Sequence, residues 1–162
     1  MNNMPKELQI SWKKLENLTE RLIQKIPKNK FDYILCISSG GLVLGKLVSD
    51  YLNLPLGVIA ASAYDKGKKQ IREKEVIIGN IATITNPGRK VLLLDDLVDT
   101  GATMHQIYRH ILKREKVYSI KTGVLYRKPQ TVFQPDYFVE ETSKWVVFPY
   151  ERKEFSREKE TN

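Results

Sequence analysis

The sequence predicts an α/β domain in which a mostly parallel, twisted sheet is flanked by helices. Three observations carry that prediction. Short, continuously apolar runs alternate with segments of helical spacing, the two clearest runs each end in a loop that opens a helix, and 162 residues suit one globular domain. The domain is expected to span residues 1–150, with residues 151–162 as a tail of mixed charge.

From the N-terminus, Leu15, Leu18, Leu22, Ile23 and Ile26 recur at helical spacing after Ser11, a residue suited to an N-cap, and Pro27 ends the segment. Tyr33 to Ile37 is short and wholly apolar, as a strand covered on both faces should be, and runs into Ser38-Ser39-Gly40-Gly41. Helical spacing returns with Leu44, Leu47, Val48, Tyr51 and Leu52. Leu56 to Ala61 reads as a second buried strand. The polar segment from Asp65 to Glu75 has too few apolar residues to anchor itself and is expected to be mobile. Val76 to Ile84 reads as a further strand, followed by the turn signal Asn86-Pro87-Gly88. Val91 to Leu94 is the clearest buried strand, and Asp95 is expected to begin the next loop. A helix is predicted from Thr103 through Met104, Ile107, Tyr108, Ile111 and Leu112, and two last strands at Ser119 to Tyr126 and Tyr137 to Val139.

The hydrophobic share is 41% and the charged share 28%, the balance of an ordinary soluble protein. No apolar run approaches the ~20 residues that cross a bilayer, so no membrane partner is expected. Met1 to Lys14 lacks the apolar centre of a secretory signal, and Cys36 is the single cysteine, which points to a reducing cytoplasm. A net charge of +8 attracts polyanions in general. The basic residues are dispersed, with no arginine-rich arm or nucleic-acid module, so a nucleic-acid partner is not expected.

The segment Val91 to Thr103, VLLLDDLVDTGAT, holds the most chemistry. Asp95, Asp96 and Asp99 crowd three carboxylates after a buried strand. Like charges raise one another's pKa, so the cluster calls for hydrogen-bonding or cationic partners, and sugar hydroxyls and a divalent cation are suitable. Thr100, Gly101, Ala102 and Thr103 then bring two hydroxyls, a conformationally free glycine and a helix start. Unpaired N–H groups and the helix dipole there suit a phosphate monoester. There is no GxxxxGK[ST] and no GxGxxG, which excludes a P-loop nucleotidase and a dinucleotide-binding Rossmann domain.

VLLLDDLVDTGAT resembles the phosphoribosyl pyrophosphate (PRPP) signature of the type I phosphoribosyltransferases. The likeness runs from about Ile10 to Tyr150 and is nearest to the compact xanthine-guanine and hypoxanthine phosphoribosyltransferases of microbes. It implies that Asp95 and Asp96 contact the ribose hydroxyls, directly or through Mg2+ held at Asp96. It implies further that Asp99 is the general base near purine N7, and that Asp99 to Thr103 hold the 5-phosphate. Ser39, Gly40 and Gly41 resemble the pyrophosphate loop, with Ser39 where the family usually has an arginine; Lys46 or a lysine of the polar segment is left to compensate. The segment starting at Ser62-Ala63-Tyr64-Asp65 is similar to the family's catalytic hood, where Lys66, Lys68, Lys69 and Arg72 would meet pyrophosphate. Lys128 matches a lysine aimed at the 6-oxo group of a purine. Trp145 and Val146 match a small C-terminal base-binding segment, the indole stacking on the base while the main chain reads its edge. His105 and His110 stand at no metal-ligand spacing and are read as packing or surface residues.

The implied activity is purine salvage: transfer of ribose 5-phosphate from PRPP to guanine, xanthine or hypoxanthine, by a homo-oligomer, dimer or tetramer. The alternative is a non-catalytic PRPP-sensing regulator of the same fold, to which the Ser39 departure lends weight.

Overall fold

Ser11 caps the first long helix as the sequence suggests, its Oγ accepting a hydrogen bond from the Lys14 N–H at 3.1 Å. That helix, α1 (Trp12–Lys25), follows a short strand, β1 (Glu7–Gln9). The chain continues as β2 (Tyr33–Ser38), α2 (Gly41–Leu52), β3 (Leu56–Tyr64), β4 (Glu75–Thr83), β5 (Lys90–Val98), α3 (Ala102–Leu112), β6 (Ser119–Arg127), β7 (Tyr137–Glu141) and β8 (Trp145–Val147). The computed structural model describes residues 6–64, 75–83, 89–113, 117–153 and Ser156. The polar segment from Asp65, expected to be mobile and to carry the hood cations, and the turn at Asn86-Pro87-Gly88 lie outside the described residues.

A six-stranded sheet in the order β4-β3-β2-β5-β6-β7 is parallel throughout except for the antiparallel edge pair β3 and β4. Period-two alternation of the central strands feeds two cores. Ile34, Cys36, Leu92 and Leu94 face α1 and α2, while Leu35, Ile37, Val91 and Leu93 face α3. All eight are essentially fully buried, which is why β2 and β5 read as continuous apolar runs rather than as alternating ones.

Two features differ from the sequence reading. Asp95 does not begin a loop: pairing with β2 ends at Leu94, but β5 stays in register with β6 through Val98, opposite Arg127, so the carboxylates lie on a strand end that has lost one neighbour and opens at the sheet rim. The C-terminal segment is itself a strand, β8, in a separate two-stranded parallel sheet with β1, and residues 7–9 had given no strand signal.

Candidate active site

From β2 the chain crosses through α2 to β3 on one side, and from β5 it crosses through α3 to β6 on the other. The strand order therefore reverses between β2 and β5, and a crevice opens there beyond their carboxyl ends. The loops at that crevice are Ser38 to Gly41 and Asp95 to Thr103, the two picked out in the sequence.

Glycine is required at position 40 by a close approach: a Cβ there would stand 2.6 Å from Oδ2 of Asp96. At Gly41 a Cβ would meet the Leu94 carbonyl oxygen at 2.7 Å, so this glycine lets α2 pack on β5. Both line neither of the two cavities described below. The Ser38-Ser39 peptide is cis, and the Ser39 side chain borders the larger cavity. Lys46 is held by Asp50 on the exposed face of α2.

Adjacent residues of a strand point to opposite faces, and Asp95 and Asp96 divide the crevice accordingly. Asp96 and Asp99 line a cavity of about 290 Å³ together with Ser39, Lys128, Trp145 and Val146. Asp95 and Asp99 line a second, of about 150 Å³, whose wall also includes Thr100, Gly101, Ala102 and Thr103. Asp99 and Leu97 belong to both, so the two cavities share one wall.

The smaller cavity is a turn shaped for an anion. Gly101 has φ +88°, a backbone conformation natural to glycine, and a Cβ there would strike Phe133 at 2.5 Å. The Ala102 N–H is taken by Thr100 Oγ1 at 3.3 Å, whereas Thr103 and Met104 in the first turn of α3 have no intrahelical acceptor.

Electrostatics sharpen the picture. Asp96 is only 7% exposed. Its carboxyl is pushed up to about 7, chiefly by burial, with the Tyr150 hydroxyl opposing and the Glu151 charge adding to the rise. Burial likewise raises Asp95, and the neighbouring Asp96 charge raises it further. Desolvation outweighs the mutual repulsion foreseen from the sequence. Lys128, 6% exposed, is lowered by burial against the opposing pull of Asp99, and its ammonium donates to the Lys144 carbonyl.

Trp145 lies at the start of β8, 47% exposed at the cavity edge. The Trp145 N–H bonds to the Lys6 carbonyl at 3.1 Å, and the Val147 carbonyl accepts from Ile10 at 2.9 Å. In a parallel ladder alternate residues face the partner strand, so the main chain of the intervening Val146 turns away from β1.

Three polar residues at the site carried no signal of their own. Tyr150 donates from its hydroxyl to Asp96 Oδ2, 2.7 Å away, with the Gly40 carbonyl oxygen at 3.1 Å. Glu151, read as the start of the charged tail, borders the larger cavity. Gln130 donates to Asp99 Oδ1 at 2.8 Å. Its position two residues beyond Lys128 was the available clue. His105 is exposed on α3 with its ring 6.2 Å from that of Phe133, in keeping with its reading as a packing or surface residue.

A doubly wound sheet with paired cavities at its switch point defines an α/β protein with a small-molecule site on the strand carboxyl ends. Residues 6–154 match the phosphoribosyl transferase domain, and the chain belongs to that family. It is 31% identical over 150 residues to the xanthine-guanine phosphoribosyltransferase of Idiomarina loihiensis, a match covering 90% of this chain and 88% of that one. The purine phosphoribosyltransferase from Pyrococcus horikoshii Ot3 superposes with a TM-score of 0.76 at 29% identity, covering 89% of this chain and 93% of the other. At 18% identity, the Helicobacter pylori xanthine-guanine-hypoxanthine phosphoribosyltransferase shares the fold, with a TM-score of 0.79 and coverage of 94% and 99%.

Proposed function

We propose that this phosphoribosyltransferase transfers ribose 5-phosphate from PRPP to a 6-oxopurine, guanine, xanthine or hypoxanthine, releasing pyrophosphate, in purine salvage. The observation that carries this reading is the wall shared at Asp99: a phosphate-shaped turn on one side, and on the other a larger cavity bordered by an indole, a buried ammonium and a turned main chain. A ribose spanning the wall would join a 5-phosphate in the first to a base in the second.

In this reading Thr100 to Thr103, with Asp99, hold the 5-phosphate, and Asp95 and Asp96 hold the ribose hydroxyls. Ser39, Gly40 and Gly41 face the pyrophosphate. Trp145 stacks on the base, Val146 main-chain groups read its edge, and Lys128 leaves the Lys144 carbonyl to donate to the 6-oxo oxygen, which an adenine amino group could not accept. The C1–O bond breaks with its electron pair going to pyrophosphate, the base nitrogen bonds to C1, and Asp99 takes the proton the base loses. Charge develops on the sugar as that bond breaks, and Asp95 and Asp96 in their ionised form favour it.

The donor set fits magnesium. Among the described residues no group of three metal-ligating side chains converges, and Mg2+ is ordinarily held by one or two carboxylates together with substrate phosphates. Asp96 is the ligand proposed here, and the ion would supply neutralisation of the leaving pyrophosphate. The family resemblance carries two further parts of the reading, a homo-oligomer, dimer or tetramer, and a cytoplasmic location, with which a single free cysteine accords.

A second reading, a PRPP-sensing regulator, draws on Ser39 in place of the usual arginine. A sensor of the sugar phosphate alone has no use for the Lys128 and Trp145 arrangement. One assay separates the two: protein, Mg2+ and PRPP are mixed with hypoxanthine, guanine, xanthine, adenine or orotate in turn, and nucleotide formed is measured. Turnover confined to 6-oxopurines is expected; adenine or orotate as the preferred base, or PRPP binding without turnover, would displace the proposal.

A further inference from the structure

Tyr150 stands where three parts of the site meet, and its surroundings fix where its hydroxyl can be. The residue follows the buried end of β8, in a turn closed by the Glu151 N–H on the Phe148 carbonyl at 3.1 Å. Its ring is stacked on Phe148 with centroids 5.4 Å apart and planes 2° from parallel, and Trp12 of α1 packs against it at 6.3 Å. Packing of this kind leaves the phenol little freedom to turn. A phenylalanine would satisfy all of it, so packing alone does not explain the hydroxyl.

That hydroxyl has one proton and two acceptors within reach, Asp96 Oδ2 at 2.7 Å and the Gly40 carbonyl oxygen at 3.1 Å. Asp96 belongs to β5 and Gly40 to the loop after β2, the neighbouring strand. Their closeness is independently visible in the 2.6 Å that a Cβ on Gly40 would leave to the same Oδ2. One oxygen of the Asp96 carboxylate is thereby fixed between the tyrosine and the glycine loop. The other, Oδ1, would stand 2.8 Å from the same Cβ, so the whole carboxylate is seated against the glycine loop where Asp96 borders the larger cavity.

We infer that Tyr150 is a positioning residue for the sugar pyrophosphate. From the base-binding segment, its hydroxyl holds the Asp96 carboxylate and the Ser38-to-Gly41 loop in one arrangement. It acts through Asp96 and Gly40 and touches neither the base nor the reacting carbon. A group held in its productive geometry before substrate arrives costs less to order on binding, so loss of the hydroxyl weakens the ligand those two elements share and spares the one they do not. The inference rests on the reading of Asp96 as a PRPP contact.

The test is Tyr150→Phe in the full chain, with three measurements: calorimetric titration of PRPP in the presence of Mg2+, steady-state KM for PRPP and for guanine, and a thermal melt. The expected result is a rise of about tenfold in both Kd and KM for PRPP, the scale of one charge-assisted hydrogen bond. The guanine KM should stay within about twofold. The melting temperature should fall by several degrees without loss of the cooperative transition, since the ring contacts remain while the buried Asp96 carboxylate loses a donor. Unchanged PRPP affinity would overturn the inference, and so would a parallel rise in both KM values, which a general loosening of the site would cause. Wild-type protein that takes up no PRPP would overturn the reading of Asp96 itself, and this inference with it.

Discussion

Asp99 is the residue on which the proposed chemistry turns, and it is cheap to remove. Its side chain is exposed at the wall between the cavities, and its hydrogen bond from Gln130 ties down only Oδ1. Truncation leaves no buried group unpaired. Asp99→Ala is therefore expected to cost less than about 1 kcal/mol of stability, while kcat falls by roughly a hundredfold or more, the range set by losing a general base. Paired thermal melts and single-turnover rates check this, and wild-type turnover would remove the assignment. Individual residues differed in how far the sequence revealed them. The three aspartates and the threonine-glycine bend were readable because their order is chemically costly without a ligand. Lys128 and Trp145, taken alone, look like a strand-end lysine and a core aromatic; only the family resemblance singled them out. Gln130 gave no sign, and Tyr150 stood out only as the end of the segment from Trp145 that resembles the base clamp, because what distinguishes each is a single contact across the fold.

Elements were legible wherever periodicity and burial coincide, as in β2, β5 and the amphipathic α1. They were not where a long-range pairing does the work. Glu7 to Gln9 holds one apolar residue and is a strand only because Trp145 to Val147 lies beside it. Near the other edge of the main sheet, a polar junction ties the layers: Glu140 of β7 accepts from Arg21 and Lys14 of α1, at 2.5 and 3.2 Å, and from the Tyr126 hydroxyl of β6 at 3.1 Å. Burial by itself would raise the Glu140 pKa, but those three donors together bring it below the ordinary value. A carboxyl depressed in the folded state contributes stability above its unfolded pKa, near 4.3, and loses that contribution as pH falls through the folded value. Glu140→Gln should thus lower stability by about 1 kcal/mol at pH 7, with the difference from wild type shrinking between roughly pH 5 and pH 3. Melts across that window decide the matter, and a difference constant with pH would show that shape rather than charge holds the junction.

At the scale of the whole molecule, the sheet order places both informative loops at one crevice, an arrangement that alternating strands and helices foretold in class but not in register. What the sequence does state about the whole is charge: 27 basic against 19 acidic residues, net +8. Dispersed positive charge selects no partner by itself, yet its field acts on every anion that approaches. PRPP carries several negative charges, and guanine at neutral pH carries none. Steering therefore favours encounter with the first substrate and leaves the second to unassisted diffusion. The Debye length shrinks from about 30 Å at 0.01 M salt to about 10 Å at 0.1 M, which removes most of that assistance. Raising KCl across this range is expected to lower kcat/KM for PRPP several-fold while kcat/KM for guanine, measured at saturating PRPP, stays nearly level. A parallel decline for both substrates would point to salt acting on the fold, and a flat response for PRPP would mean that the carboxylates lining the crevice cancel the surplus charge locally, leaving recognition to the short-range contacts of the phosphate turn.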